Sequence, residues 1–358
     1  MKKTKLAWLK LVAFALPLLA LLIFVNIFFD PANIFHDVSR SIADSLLAGN
    51  PTYITSGNMD ERTVKQYIME GMPEHVECVV VGPSVAFGIR TEQAGTDSFY
   101  NLSVSGADFY DILAQFGILH LNNKTTGRVI FNIDPYFFSD SVSDSSVRSV
   151  PLRPYADYMI SVLNGETPEM PERDSRAENL QKFYQMFSVT FFQASVDYIV
   201  SNKTLDIPRW GVADDDYDGS YYLPDCSMIY PDGYSDTTAE EVIQHAAEYP
   251  RGYHFAAGEH ISTSKVAIFE KLMDYLQAQG TEVTFYLAPM SPSLWALCDD
   301  AGYPLIREIE NYILQFSEGH NCTVVGSYNP GNYGIVDEDF YDSRHLKHER
   351  LDKYFDFK

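Results

Sequence analysis

The segment Val76–Val81 is apolar at five of its six positions, and it stops at Gly82-Pro83-Ser84. A strand that is apolar on both alternating faces must be covered on both sides, as it is inside a parallel sheet. Similar runs recur at Phe99–Val104, Arg128–Asp134, Glu282–Ala288 and Cys322–Val325. Stretches with helical spacing, Asp108–Leu121, Ser262–Gln279 and Leu305–Phe316, lie among them. Five short strands alternating with helices predict an α/β domain built on a five-stranded parallel sheet. From 140 to about 252 the rhythm breaks. Tyr155–Leu163 and Ala177–Val200 keep helical spacing, but Asp206–Tyr234 is rich in Asp, Tyr, Pro and Gly and has no period. This stretch reads as an insertion on the rim of the sheet, where binding loops belong.

The N-terminus carries a different signal. Lys2, Lys3, Lys5 and Lys10 lead into Leu11–Phe29, nineteen residues without a charge. As a helix this run rises about 28 Å, close to the roughly 30 Å hydrocarbon core of a bilayer. It predicts one transmembrane helix with its lysine-rich end in the cytoplasm and the bulk of the chain outside. A cleaved signal peptide is the competing reading, but no small-x-small cleavage site follows the run. The expected organisation is therefore a tail and anchor over 1–30, a juxtamembrane helical segment over 31–70, with its helix at Phe35–Leu47, and an extracytoplasmic domain over 71–358.

Beyond the apolar run, 22 basic residues face 49 acidic ones, a net charge of −27. Such a surface repels nucleic acid and anionic lipid headgroups, and is compatible with a neutral glycan or polyol, a zwitterionic or cationic acyl donor, or a partner protein. Cys78, Cys226, Cys298 and Cys322 contain no Cys-x-x-Cys pair and no zinc spacing. Outside the cytoplasm they form up to two disulfides or remain buried thiols, and the sequence leaves both open. No metal or cofactor is expected, with one exception of candidate grade. Asp214, Asp216, Asp218 and Asp225 repeat the alternating oxygens of a calcium loop, although a solvated acidic loop is the favoured account of them.

Chemistry is suggested by four segments far apart in the chain. In an open parallel sheet, sites form beyond the carboxyl ends of the strands. Ser84 follows the first strand, Ser105-Gly106 the second, Asp134 ends the third, and Asp342-Ser343-Arg344-His345 follows the fifth. A serine becomes a nucleophile when a histidine takes its proton and a carboxylate orients that histidine, which are the roles open to Ser84, His345 and Asp342. The Asp-x-x-His spacing suits one face at the start of a helix, and His345–Tyr354 is expected to be that helix. The backbone N–H groups of Ser84 and Gly106 are the candidate oxyanion donors. Asn132 and Asp134 are candidates for contact with substrate. His348 is a rival base at a less suitable spacing from Asp342.

With Gly82-Pro83-Ser84, Asn101-Leu102-Ser103-Val104-Ser105-Gly106 and Phe340-Tyr341-Asp342-Ser343-Arg344-His345-Leu346 in this order, the chain resembles the SGNH/GDSL hydrolase superfamily. Within it, the resemblance is to the membrane-anchored DltD-like and alginate-acetylation-like branch. That resemblance implies a three-layer flavodoxin-like fold and acyl-ester chemistry on a cell-envelope or exported glycan. It also implies a membrane-bound O-acyltransferase as partner. Two functions are thus in competition. One is an anchored extracytoplasmic O-acyltransferase or esterase; the other is a non-catalytic assembly or glycan-binding subunit of the same fold.

Overall fold

The computed structural model describes residues 2–30, 33–55, 60–146, 148–171, 175–202, 209–252, 259–300, 303–320 and 322–358. Counting helices of nine residues or more, the order begins α1 (Lys2–Phe29), α2 (Ser39–Leu47), β1 (Thr52–Ile54), α3 (Glu61–Gly71), β2 (His75–Val81), β3 (Phe99–Asn101), α4 (Phe109–Leu121) and β4 (Thr125–Asn132). It continues through α5 (Arg153–Leu163), α6 (Ser175–Met186), α7 (Val189–Asn202), β5 (Trp210–Val212), β6 (Tyr221–Tyr222), β7 (Met228–Ile229) and α8 (Ala239–Gly252). The last elements are α9 (Thr263–Ala278), β8 (Glu282–Leu287), α10 (Pro292–Asp300), α11 (Pro304–His320) and β9 (Thr323–Gly326).

The main sheet is five-stranded, in the order β3-β2-β4-β8-β9, and every pairing in it is parallel. Numbered along the chain this is 2-1-3-4-5, a doubly wound order whose direction reverses between β2 and β4. Register places Val79 beside Val129 and Phe131 beside Phe285. Alternation then divides the strands between two cores. Val79, Val81, Val129, Phe131, Phe285 and Leu287 face one side, with apolar residues of α2, α3, α4, α5, α9 and α11. Cys78, Val80, Ile130, Tyr286 and Val325 face the other. There the cover is largely Ala86–Ala94 and the C-terminal segment, with Phe340, Leu346, Leu351, Phe355 and Phe357. Each such fully buried side chain contributes about 1.5–3 kcal/mol.

Several elements depart from expectation. Residues 31–70 do not stand apart, because Ile42, Leu46, Val64 and Ile68 belong to the main core. The region 140–252 also contributes core: a Cβ on Gly117 of α4 would lie 2.3 Å from the Tyr155 carbonyl, so α5 packs against α4 at backbone distance. The expected helix Ala177–Val200 is broken into α6 and α7. Asp206–Tyr234, expected to be irregular, supplies three strands that join β1 in an antiparallel sheet, order β5-β1-β6-β7.

The structure lends no support to the transmembrane expectation. Among the described residues no helix is long and apolar enough to cross a membrane.

Candidate active site

The site forms at the carboxyl ends of the strands, beside the reversal between β2 and β4. β2 leads into Gly82, whose φ of +143° lies outside the range of ordinary side chains. A Cβ there would meet the Asn132 Cβ at 2.7 Å and its carbonyl oxygen at 2.8 Å, so glycine is what lets the ends of β2 and β4 approach. Pro83 continues extended, and Ser84 opens a single 3-10 turn, Ser84–Ala86. That turn is held from β3: the Asn101 amide donates to the carbonyls of Ala86 and Ile89 at 2.8 and 3.0 Å.

The closing segment brings the candidate base to Ser84. The Ser84 Oγ lies 2.9 Å from His345 Nε2, and His345 Nδ1 lies 2.8 Å from Asp342 Oδ2. The expected helix does not include Asp342 and His345: it is confined to a 3-10 turn at His348–Arg350 and a short α-helix at Leu351–Tyr354. Phe340 and Leu346 instead form an antiparallel bridge, and the Tyr341 N–H donates to the His345 carbonyl at 2.8 Å. Asp342 Oδ1 accepts the N–H groups of Arg344 and His345 at 2.7 and 2.8 Å, so the carboxylate shapes the turn that carries its own histidine. Burial works to raise the Asp342 pKa. The His345 imidazole and the two N–H donors outweigh it, holding the carboxyl well below its usual range. Asp342 is therefore ionised and fixed, as an orienter of a base must be.

The second loop is prepared from α3. Glu61 accepts the Ser105 N–H at 2.6 Å and its hydroxyl at 2.9 Å, while Arg62 donates to the Ser105 carbonyl and pairs twice with Asp111. This leaves Gly106 in the left-handed region at φ +56°. The Val104 N–H donates to the Gly82 carbonyl at 3.0 Å, which keeps this loop alongside the Ser84 turn. Among the described residues, the N–H groups of Ser84 and Gly106 have no hydrogen-bond partner. Both residues are half-buried, and two free donors near a serine–histidine pair suit an oxyanion.

Asn132 and Asp134 are placed elsewhere than at a substrate surface. Asn132 is fully buried and its amide donates to the Tyr286 carbonyl at 2.9 Å. Asp134 is 3% exposed and pairs with Arg344 at 2.6 Å. Burial pushes the Asp134 carboxyl up against the pull of Arg344. Burial would lower Arg344, and Asp134 together with the neighbouring Tyr249, Tyr136 and Tyr328 more than offsets this, keeping the guanidinium protonated. The pair ties the end of β4 to the turn bearing Asp342 and His345. His348 is turned to the Tyr341 hydroxyl rather than to Ser84, and burial followed by Arg90 lowers its pKa.

The candidate calcium residues do not converge. Asp214, Asp216 and Asp218 are exposed, and Asp225 Oδ1 accepts the N–H and hydroxyl of Ser227. Among the described residues no group of three or more His, Cys, Asp or Glu side chains is placed to hold a metal ion. All four cysteines are free thiols.

Four contributing residues escaped sequence reasoning. His245 Nδ1 lies 2.8 Å from the Ser343 hydroxyl and accepts the Ser343 N–H at 3.1 Å, bracing the turn from α8. Glu61 and Arg62 fix the Gly106 loop, and nothing in the sequence singled them out. Arg344 had a signal, a cation inside the closing motif and next to the histidine. No protein-family model matches the chain, and no curated protein matches it.

Proposed function

We propose that this protein is a serine acyl-ester enzyme of SGNH type, an extracytoplasmic O-acyltransferase or esterase acting on a glycan or polyol and held at the membrane by α1. The observation that carries the reading is the continuous relay from Ser84 Oγ to His345 Nε2 at 2.9 Å and from His345 Nδ1 to Asp342 at 2.8 Å, beside two unpaired N–H donors. In the first half-reaction Ser84 Oγ attacks the ester carbonyl as its proton passes to His345 Nε2. The N–H groups of Ser84 and Gly106 bind the oxyanion. When the intermediate collapses, His345 returns the proton to the leaving alkoxide and the acyl group remains on Ser84. A glycan hydroxyl, or water, then reverses these steps and takes the acyl group.

The membrane assignment is supported by the face of α1, where Phe14, Leu16, Leu18, Leu19, Leu21, Phe24 and Phe28 are all exposed. Soluble monomers rarely leave so long an apolar patch in water. The order β3-β2-β4-β8-β9 and the three motif segments at one sheet edge are compatible with the SGNH resemblance and with a membrane-bound O-acyltransferase as donor partner. The retained relay favours the enzyme over a binding subunit of the same fold. Incubation with an activated acyl ester should add one acyl mass to the peptide containing Ser84, and Ser84→Ala should abolish it. Acylation elsewhere, or none, would rule the reading out.

A further inference from the structure

The helices α6 and α7 form a hairpin that packs on α1 and not on the sheet core. From Phe183 to Val196 its sequence has no charge. Phe183 and Tyr184 are 53% and 65% exposed and Val189 is 61% exposed, with Phe187 at the turn itself also exposed. Val189 and Phe192 line a groove of about 700 Å³ whose remaining walls are Ala15, Leu16, Leu18, Leu19, Leu21 and Leu22 of α1. Val189 and Phe192, just past the turn, therefore share a groove with a stretch of α1 that ends at Leu22, seven residues before Phe29 and about 10 Å along the helix.

How the turn's backbone is satisfied is a separate observation. Asn26 is fully buried, and its Nδ2 donates to the carbonyls of Gln185, Met186 and Ser188 at 3.0, 3.1 and 3.0 Å. These are carbonyls at the end of α6, which water would solvate freely on an ordinary surface loop. Within hydrocarbon they must find partners in the protein. Polar anchoring resumes on the domain side of Asn26: Asp30 accepts the N–H groups of Ile34, Phe35 and His36, and Arg209 donates to the carbonyls of Phe28 and Phe29. The charged positions of the hairpin, Arg176, Glu178, Lys182 and Asp197, all lie outside the uncharged stretch.

We propose that the α6–α7 turn, Phe183–Phe192, inserts into the outer half of the bilayer beside α1, so that lipid acyl chains cover its aromatic tip. This rests on the membrane reading of α1 and adds a second point of attachment. A single helix leaves the domain free to swivel. Two attachments fix its height and rotation over the surface, and with them the direction in which the Ser84 site opens.

The test uses the full chain in vesicles of phosphatidylcholine carrying bromine on the acyl chain, which quenches tryptophan within the hydrocarbon. Leu18→Trp on α1, Phe187→Trp on the turn and Leu314→Trp on the exposed face of α11 are each compared with the parent. Quenching above the parent's at positions 18 and 187, and none at 314, is the expected result. Quenching at 18 but not at 187 overturns the insertion and leaves the α1 anchor standing; quenching at neither overturns both. A blue-shifted, unquenched Phe187→Trp whose emission depends on the protein-to-lipid ratio would put a second copy of the chain on the turn, and would equally overturn the proposal.

Discussion

The ion pair between Asp134 and Arg344 separates what folds this protein from what aims its base. Both side chains are 3% exposed and their charged atoms are 2.6 Å apart. Arg344→Met keeps most of the apolar stem but strands the carboxylate in a dry site. Removing one partner of such a pair costs about 3–5 kcal/mol, against a total domain stability on the order of 5–15 kcal/mol. The stranded Asp134 would have a pKa above its unfolded value. Its contribution is then retained below the unfolded value, about 3.9, and lost as pH rises through the folded one. The deficit of the variant should accordingly be smallest near pH 4 and larger at neutrality. Asp134→Leu combined with Arg344→Met removes both charges and should return the unfolding midpoint to the parent's or beyond. The double variant should nonetheless acylate Ser84 more slowly, because nothing then ties the end of β4 to the Asp342–His345 turn. Urea unfolding of the detergent-solubilised full chain at two pH values, with acylation rates on the same samples, measures all of this. A double variant as unstable as Arg344→Met would refute the reasoning, since the loss would then come from the arginine stem and not from a stranded charge.

Two further changes probe the site's supports. Gly82→Ala sets a methyl 2.7 Å from the Asn132 Cβ at a φ of +143°, so a loss of about 1–3 kcal/mol is expected together with slower Ser84 acylation. Parent-like melting and acylation would show that the two strand ends have slack. Asp342→Asn bears on pH. A carboxyl with a lowered folded pKa adds stability above its unfolded value and loses it as pH falls through the folded one. The stability gap between parent and Asp342→Asn should therefore narrow on acidification from about pH 6 to pH 3, and a gap that holds or widens contradicts the assignment.

The sheet was legible because continuous apolar runs such as Val76–Val81 mark strands covered on both faces, and helical spacing at Asp108–Leu121 fixed what lay between. The second sheet was not, because β5, β6 and β7 are two or three residues long, too short for alternation to register. Spacing alone could not decide the Asp342–His345 segment. Three residues apart fits one helix face and also a turn in which the aspartate caps the following N–H groups, and the bridge from Phe340 to Leu346 selects the turn. The partner of Asp134 lies 210 residues away in sequence, so its burial as an ion pair was beyond any local pattern. His245 was not singled out for the same reason: its meaning depends on Ser343, which only the fold brings near.

The central claim is that His345 activates Ser84 as a nucleophile. The rate at which a fluorophosphonate labels Ser84, compared between the parent and His345→Ala with both shown to be folded by circular dichroism, tests it most directly. The relay from Ser84 Oγ to His345 Nε2 predicts a fall of about 10²–10⁴-fold, the usual contribution of a positioned general base. Labelling of folded His345→Ala at the parent's rate would contradict the claim.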